Sequence, residues 1–242
     1  MKAIILAGGF GTRTHGLTHE TPAGLCEIEE KTLLDQLMLK LEPIHAIGDV
    51  LIVTNGLHYL DFFRWRMQAP YQKRIHIETN QAYVPEKRNG VIKDLFLGLL
   101  SHQVPQDDCL LLFSNRYFDF PIGHFLLPCL GHREAGFVGI SASENGWIHM
   151  DNDGRIRCFE ARLQNRGTYS PSGVFFFPKS FMLRIYEYLE MVRLEPDDFK
   201  HFIFWLAEKE PLYGIEFTER CQSLSVRTPS KQSEETLEEK KR

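Results

Sequence analysis

Short, unbroken apolar runs alternate along this chain with longer stretches whose apolar positions recur at helical spacing. Ala3 to Leu6 is one such run, of the right length for a buried strand. Leu33, Leu34, Leu37 and Leu41 follow at helical spacing, and Pro43 ends that helix. Val50 to Val53 reads as a second buried strand. Leu57 to Met67 predicts a helix, with Leu60, Phe63 and Met67 at helical spacing. Arg74 to Glu78 alternates as a third strand should. Val91 to Leu100 predicts a strongly apolar helix, and the unbroken run Cys109 to Phe113 a central strand. Strand alternating with helix predicts an α/β fold, its mostly parallel sheet covered on both faces.

From Gly136 the texture changes. Phe137 to Ala142 is apolar. Trp147 to Met150 and Ile156 to Phe159 flank Asn152-Asp153-Gly154, a hairpin signal. Gly173 to Phe177 is another buried run, and Pro178 opens a helix reaching about Val192. Asp197-Asp198 begins a further helix carrying Phe202 and Trp205. Leu212 to Phe217 and Gln222 to Val226 predict closing strands. The end, SKQSEETLEEKKR over 230–242, is charged and predicts a solvated tail.

Composition narrows the picture. The 242 residues are 43% hydrophobic and 25% charged, enough for one large α/β domain or two small ones, with an ample core. A net charge of −4 gives no reason to expect a nucleic-acid partner. No apolar run approaches the ~20 residues of a membrane span, so no membrane is expected. The first residues run straight into a strand, unlike a signal peptide. Five cysteines lie scattered without metal spacing, which predicts reduced thiols and a cytoplasmic protein. His15 and His19 lack a nearby third ligand and read as loop histidines, so no metal site is assigned to them.

The candidate chemistry follows the first strand. Gly8, Gly9 and Gly11, then Thr12 and Arg13, form a turn whose backbone can approach a ligand closely. Arg13 adds a cationic fork suited to phosphate. This stretch resembles the signature of the sugar-1-phosphate nucleotidyltransferases, which reads LAGGxGTRLxPLTxxxPKxL. Leu6 to Arg13 match it, as do Leu17, Thr18, Pro22 and Leu25. The resemblance spans about Met1 to Pro229. It implies a doubly wound, Rossmann-like sheet with a sugar-binding portion late in the chain. Residues 1–229 would form one domain, with a nucleotide-binding half over 1–135 and a sugar-binding half over 136–229. Leu6, Ala7, Gly8, Gly9, Gly11, Thr12, Arg13 and Gly90 would then face the nucleotide, and Glu160 and Gly173 the sugar. Arg13 is the candidate for a catalytic phosphate contact.

The chain departs from the family where charge is concentrated. The lysine after Pro22 is Ala23. The Gly-Asp that ends the family's metal-binding strand corresponds to Ser114-Asn115. The lysine that would hold the sugar phosphate is Ala161, and the second metal aspartate corresponds to Ser225. Lys87 and Arg88 stand where small residues face a nucleobase, and read as a solvated loop. The family reaction joins a sugar-1-phosphate to a nucleoside triphosphate and releases pyrophosphate, with Mg²⁺ neutralising charge. Losing both lysines and both carboxylates removes the groups that do this. The sequence therefore predicts a catalytically impaired homologue. Such a protein would bind nucleotide or nucleotide-sugar, or support an active partner, either itself or a homologous subunit. The alternative is an active enzyme, Mg²⁺-dependent, using rearranged groups such as Arg116, Arg162 or Arg227.

Overall fold

A computed structural model describes residues 1–10, 21–101, 107–143, 146–157, 169–192, 199–217 and 221–223. The chain opens with β1 (Lys2–Ala7), the paired short strands β2 (Glu27–Ile28) and β3 (Lys31–Thr32), and α1 (Leu33–Leu41). Thr32 caps α1, its hydroxyl accepting from the Asp35 amide at 3.0 Å. Then come β4 (Asp49–Thr54), α2 (Tyr59–Gln68), β5 (Arg74–Thr79), α3 (Val91–Ser101) and β6 (Cys109–Phe113). Next are β7 (Arg116–Phe118), α4 (Ile122–Gly131), β8 (Gly136–Ala142), and the hairpin of β9 (His149–Met150) and β10 (Ile156–Arg157). The last elements are β11 (Tyr169–Phe177), α5 (Met182–Met191), α6 (Phe199–Lys209), β12 (Leu212–Glu216) and β13 (Cys221–Ser223).

Seven strands share one sheet in the order β12-β8-β11-β6-β1-β4-β5. All neighbours are parallel except β11, which runs antiparallel to both β6 and β8. Successive side chains of a strand point to opposite faces, and the core divides accordingly. Ala3, Ile5, Val50, Ile52, Leu110 and Leu112 join one buried cluster with Leu37 of α1, Phe62 of α2 and Phe125 of α4. Ile4, Leu6, Leu51, Val53 and Leu111 join the other with Leu95 of α3, Ile185 of α5 and Phe202 of α6. Burial on both faces explains why these strands read as continuous apolar runs. The sheet is doubly wound, as the sequence predicts. Among the described residues, no helix is long and apolar enough to cross a membrane.

Three differences have physical causes. The helix at 59–68 forms, but Leu60, Phe63 and Met67 are exposed, and Phe62 is its buried residue. The helix flanks β5, an edge strand, so it touches the sheet along one narrow line. α4 contains Gly123 and Pro128, which hide its helical pattern. β7 has only three residues, too few to show alternation. The expected helix start at Asp197-Asp198 and the tail from 230 lie outside the described residues.

Candidate functional site

Sheet topology locates a crevice. After β1 the chain moves to β4 and β5 on one side; it then returns to β6 on the other side of β1, and β8, β11 and β12 all lie beyond β6. The carboxyl ends of β1 and β6 therefore flank a switch point, where open α/β sheets bind ligands. Gly8 and Gly9 follow β1 there. Ser114 and Asn115 follow β6, and the Ser114 amide donates to the Leu6 carbonyl at 3.0 Å.

The backbone after β1 is held by buried polar side chains. Asn55 Nδ2 donates to the carbonyls of Gly8 and Gly9, both at 3.3 Å. A trans peptide points its N–H opposite to its C=O. Turning both carbonyls toward Asn55 therefore turns the Gly9 and Phe10 N–H groups away from it. Neither N–H has a hydrogen-bond partner among the described residues. Two such donors in succession suit an anion. Asn55 is itself fixed, since its Oδ1 accepts from the His58 amide at 2.9 Å.

A second clamp lies beneath Gly8. Asn80 Nδ2 donates to Asp94 Oδ1 at 2.8 Å, and both residues are buried. Asn80 Oδ1 accepts from the Ala82 amide, and the Asn80 carbonyl from Asn89 Nδ2 at 3.1 Å. The Asp94 amide reaches the carbonyl of Gly90, whose φ of 102° is a left-handed conformation suited to glycine. A Cβ at Gly8 would collide with Asp94 Oδ2. Gly8 is thus required by the carboxylate packed against it as well as by any ligand.

On the far side of the crevice, Ala23 begins a short 3-10 turn, Ala23–Leu25. A Cβ at the next residue, Gly24, would stand 3.0 Å from Ser114 Cβ, so this turn lies directly on the end of β6. Gly173 lies in β11 one step before Val174, which pairs with Leu112 of β6. Its φ is 100°, and a Cβ there would stand 2.7 Å from Arg116 Cγ. The structure therefore brings together Gly8, Gly9, Ala23, Asn115 and Gly173 at one end of the sheet, with Leu6 and Ala7 buried in β1 below them. Lys87 and Arg88 are exposed in and just after the 3-10 turn Pro85–Lys87. Gly11, Thr12, Arg13, Glu160, Ala161 and Ser225 lie outside the described residues, as do Arg162 and Arg227.

Among the described residues, the donors at the end of β6 do not fit Mg²⁺. Asn115 offers a neutral amide, its neighbour Arg116 is a cation, and Asp119 is exposed. Among the described residues no three of His, Cys, Asp or Glu are grouped to hold a metal ion. Sequence reasoning missed Asn55, Asn80 and Asp94. Their signal is weak: two asparagines just after strands β4 and β5, and one carboxylate in the first turn of a helix.

A family model described as nucleotidyl transferase matches residues 2–220. The chain belongs to the nucleotidyl transferase family. The mannose-1-phosphate guanylyltransferase catalytic subunit beta of Dictyostelium discoideum is 27% identical over 193 residues, covering 76% of this chain and 52% of that protein. A choline-phosphate cytidylyltransferase of Streptococcus pneumoniae is 27% identical over 137 residues, 49% of this chain and 58% of the other. This nucleotidyl transferase homologue thus spans little more than half the length of such curated relatives. Its fold is similar to the solved CTP:phosphocholine cytidylyltransferase of Streptococcus pneumoniae. The TM-score is 0.71 at 19% identity, covering 100% of this chain and 99% of that one. The inositol-1-phosphate CTP transferase of T. maritima gives 0.70 at 15% identity, covering 98% and 94%.

Proposed function

We propose that this chain binds a nucleotide or nucleotide-sugar in the switch-point crevice and is catalytically impaired as a nucleotidyltransferase. The observation that carries the reading is the pairing of an intact loop clamp with neutral residues opposite it. Asn55, Asn80 and Asp94 hold the Gly8-Gly9 backbone with two N–H groups turned outward. Facing them at the ends of the neighbouring elements are Ala23 and Asn115, where the family resemblance implies lysine and aspartate. Relatives named as guanylyl- and cytidylyltransferases support a nucleoside triphosphate and a phosphorylated small molecule as the ligand classes.

Phosphoryl transfer depends on positioning and on neutralising charge that grows in the transition state. Loss of one electrostatic group costs on the order of 10²–10³ in rate. Two neutral residues at the crevice, with Ala161 and Ser225 at the other implied positions, leave binding possible and turnover crippled. Cys109 and Cys129 are buried thiols outside any disulfide, which supports a reducing, cytoplasmic setting.

The test is a pyrophosphate-release assay on the intact chain. It takes each of the four ribonucleoside triphosphates with hexose-1-phosphates, phosphocholine and inositol-1-phosphate, with Mg²⁺ present, alongside calorimetric titration of each triphosphate. The expected result is measurable binding with turnover orders of magnitude below the median enzyme rate of ~10 s⁻¹. Mg²⁺-dependent turnover near that median would overturn the reading.

A further inference from the structure

Arg116 stands at the crevice with no charge partner among the described residues. It begins β7, just beyond the carboxyl end of β6, and its stem crosses Gly173. The glycine, at φ 100°, leaves the space that the stem fills, since a Cβ would stand 2.7 Å from Arg116 Cγ. Arg116 Nε is closed to solvent and has no hydrogen-bond partner among the described residues. Among the described residues no carboxylate pairs with this guanidinium. Arg64, Arg74, Arg133, Arg157 and Arg184 each meet an aspartate or glutamate, whereas Arg155 Nε, like Arg116 Nε, is closed to solvent without a hydrogen-bond partner among the described residues. Asp119 and Glu29 lie near Tyr117, whose phenol pKa is raised by burial and then by these two carboxylates. Arg116 is therefore held by packing of its stem, in a half-buried position where charge is weakly screened.

We propose that Arg116 is the phosphate anchor of the crevice and that nucleoside phosphates bind here without a divalent cation. A guanidinium presents a planar fork that matches two phosphate oxygens. Asn115, directly before it, is neutral, so nothing at that position repels an anion. An aspartate there would oppose the phosphate unless a metal ion bridged the two. The pair Asn115-Arg116 thus reverses the electrostatics expected of a carboxylate site: the fixed positive charge belongs to the protein. The inference rests on the crevice being a nucleotide site, and the experiment separates the failure of one from the failure of the other.

The experiment titrates the intact chain with ATP, GTP, CTP and UTP, each in EDTA and again in excess Mg²⁺, by calorimetry. The variants are Arg116→Met, which keeps the stem over Gly173 and removes the charge, Arg116→Lys and Asn115→Asp. Thermal unfolding of each variant checks that the fold is retained. The expected result is at least one triphosphate that binds wild type comparably in EDTA and in Mg²⁺. Arg116→Met should lose about tenfold or more of that affinity, the scale of a charge-assisted hydrogen bond. Arg116→Lys should fall between, and Asn115→Asp should weaken binding in EDTA. Binding that appears only with Mg²⁺, or that survives unchanged in a folded Arg116→Met, would overturn the anchor and leave the nucleotide site standing. No binding of any triphosphate under either condition would overturn both.

Discussion

The two strands that flank the switch point end in opposite ways. After β1, three buried polar residues from three other elements close on two glycines, and their amide and carboxylate groups find partners there. After β6, the chain offers a neutral amide and a guanidinium whose Nε has no hydrogen-bond partner among the described residues. The first end contributes to folding whether or not a ligand ever arrives, because buried polar groups left unmade cost about 1–3 kcal/mol each. The second end carries such a cost, since Arg116 Nε is buried without a partner among the described residues. Gly8, Asn80 and Asp94 are mutually locked, while Ala23 and Asn115 are neutral.

The comparison can be broken most severely at Gly173. Gly173→Ala introduces a side chain at φ 100° and crowds Arg116. It should destabilise the fold by about 2–4 kcal/mol, combining backbone strain with overpacking. Urea unfolding measures it, and the double variant with Arg116→Ala should recover the overpacking share but not the strain. Full additivity of the two changes would show that the stem does not occupy that space. Next in size is Gly8→Ala, which meets the Asp94 carboxylate and should cost about 1–3 kcal/mol. If Asp94→Ser relieves part of that cost, the clamp acts through the carboxylate; if it relieves none, the contact is not the cause. The smallest effect belongs to a surface with neither role. Met67→Lys, on the exposed face of α2, should change stability by no more than about 0.5 kcal/mol. A larger loss would mean that this face is covered in solution.

Much of the fold was legible because burial on both faces of a sheet demands unbroken apolar runs, and β1, β4, β6 and β11 carry them. The hairpin at Asp153-Gly154 was legible because Gly154, at φ 78°, supplies the backbone that the turn needs. α4 was not, since Pro128 is read as a break and nothing local shows that the helix accommodates it. Nor was the buried face of α2: Phe62 faces the sheet only because the helix sits over an edge. Of the site, the glycines were legible from their spacing. Asn55, Asn80 and Asp94 look like ordinary turn and helix-start residues until distant segments converge on Gly8.

The sequence by itself determined the α/β architecture, the position of the glycine turn after the first strand and the neutral side chains at Ala23 and Asn115. All three follow from residue type and local spacing, which set what a segment can bury and what charge it carries. Only the tertiary structure decided that the carboxylate of Asp94 stands where a Gly8 side chain would be. The same holds for the stem of Arg116, which fills the space over Gly173 with no acid to meet it among the described residues. Both depend on which atoms from separate strands and helices come within contact distance, and spacing along the chain does not encode that.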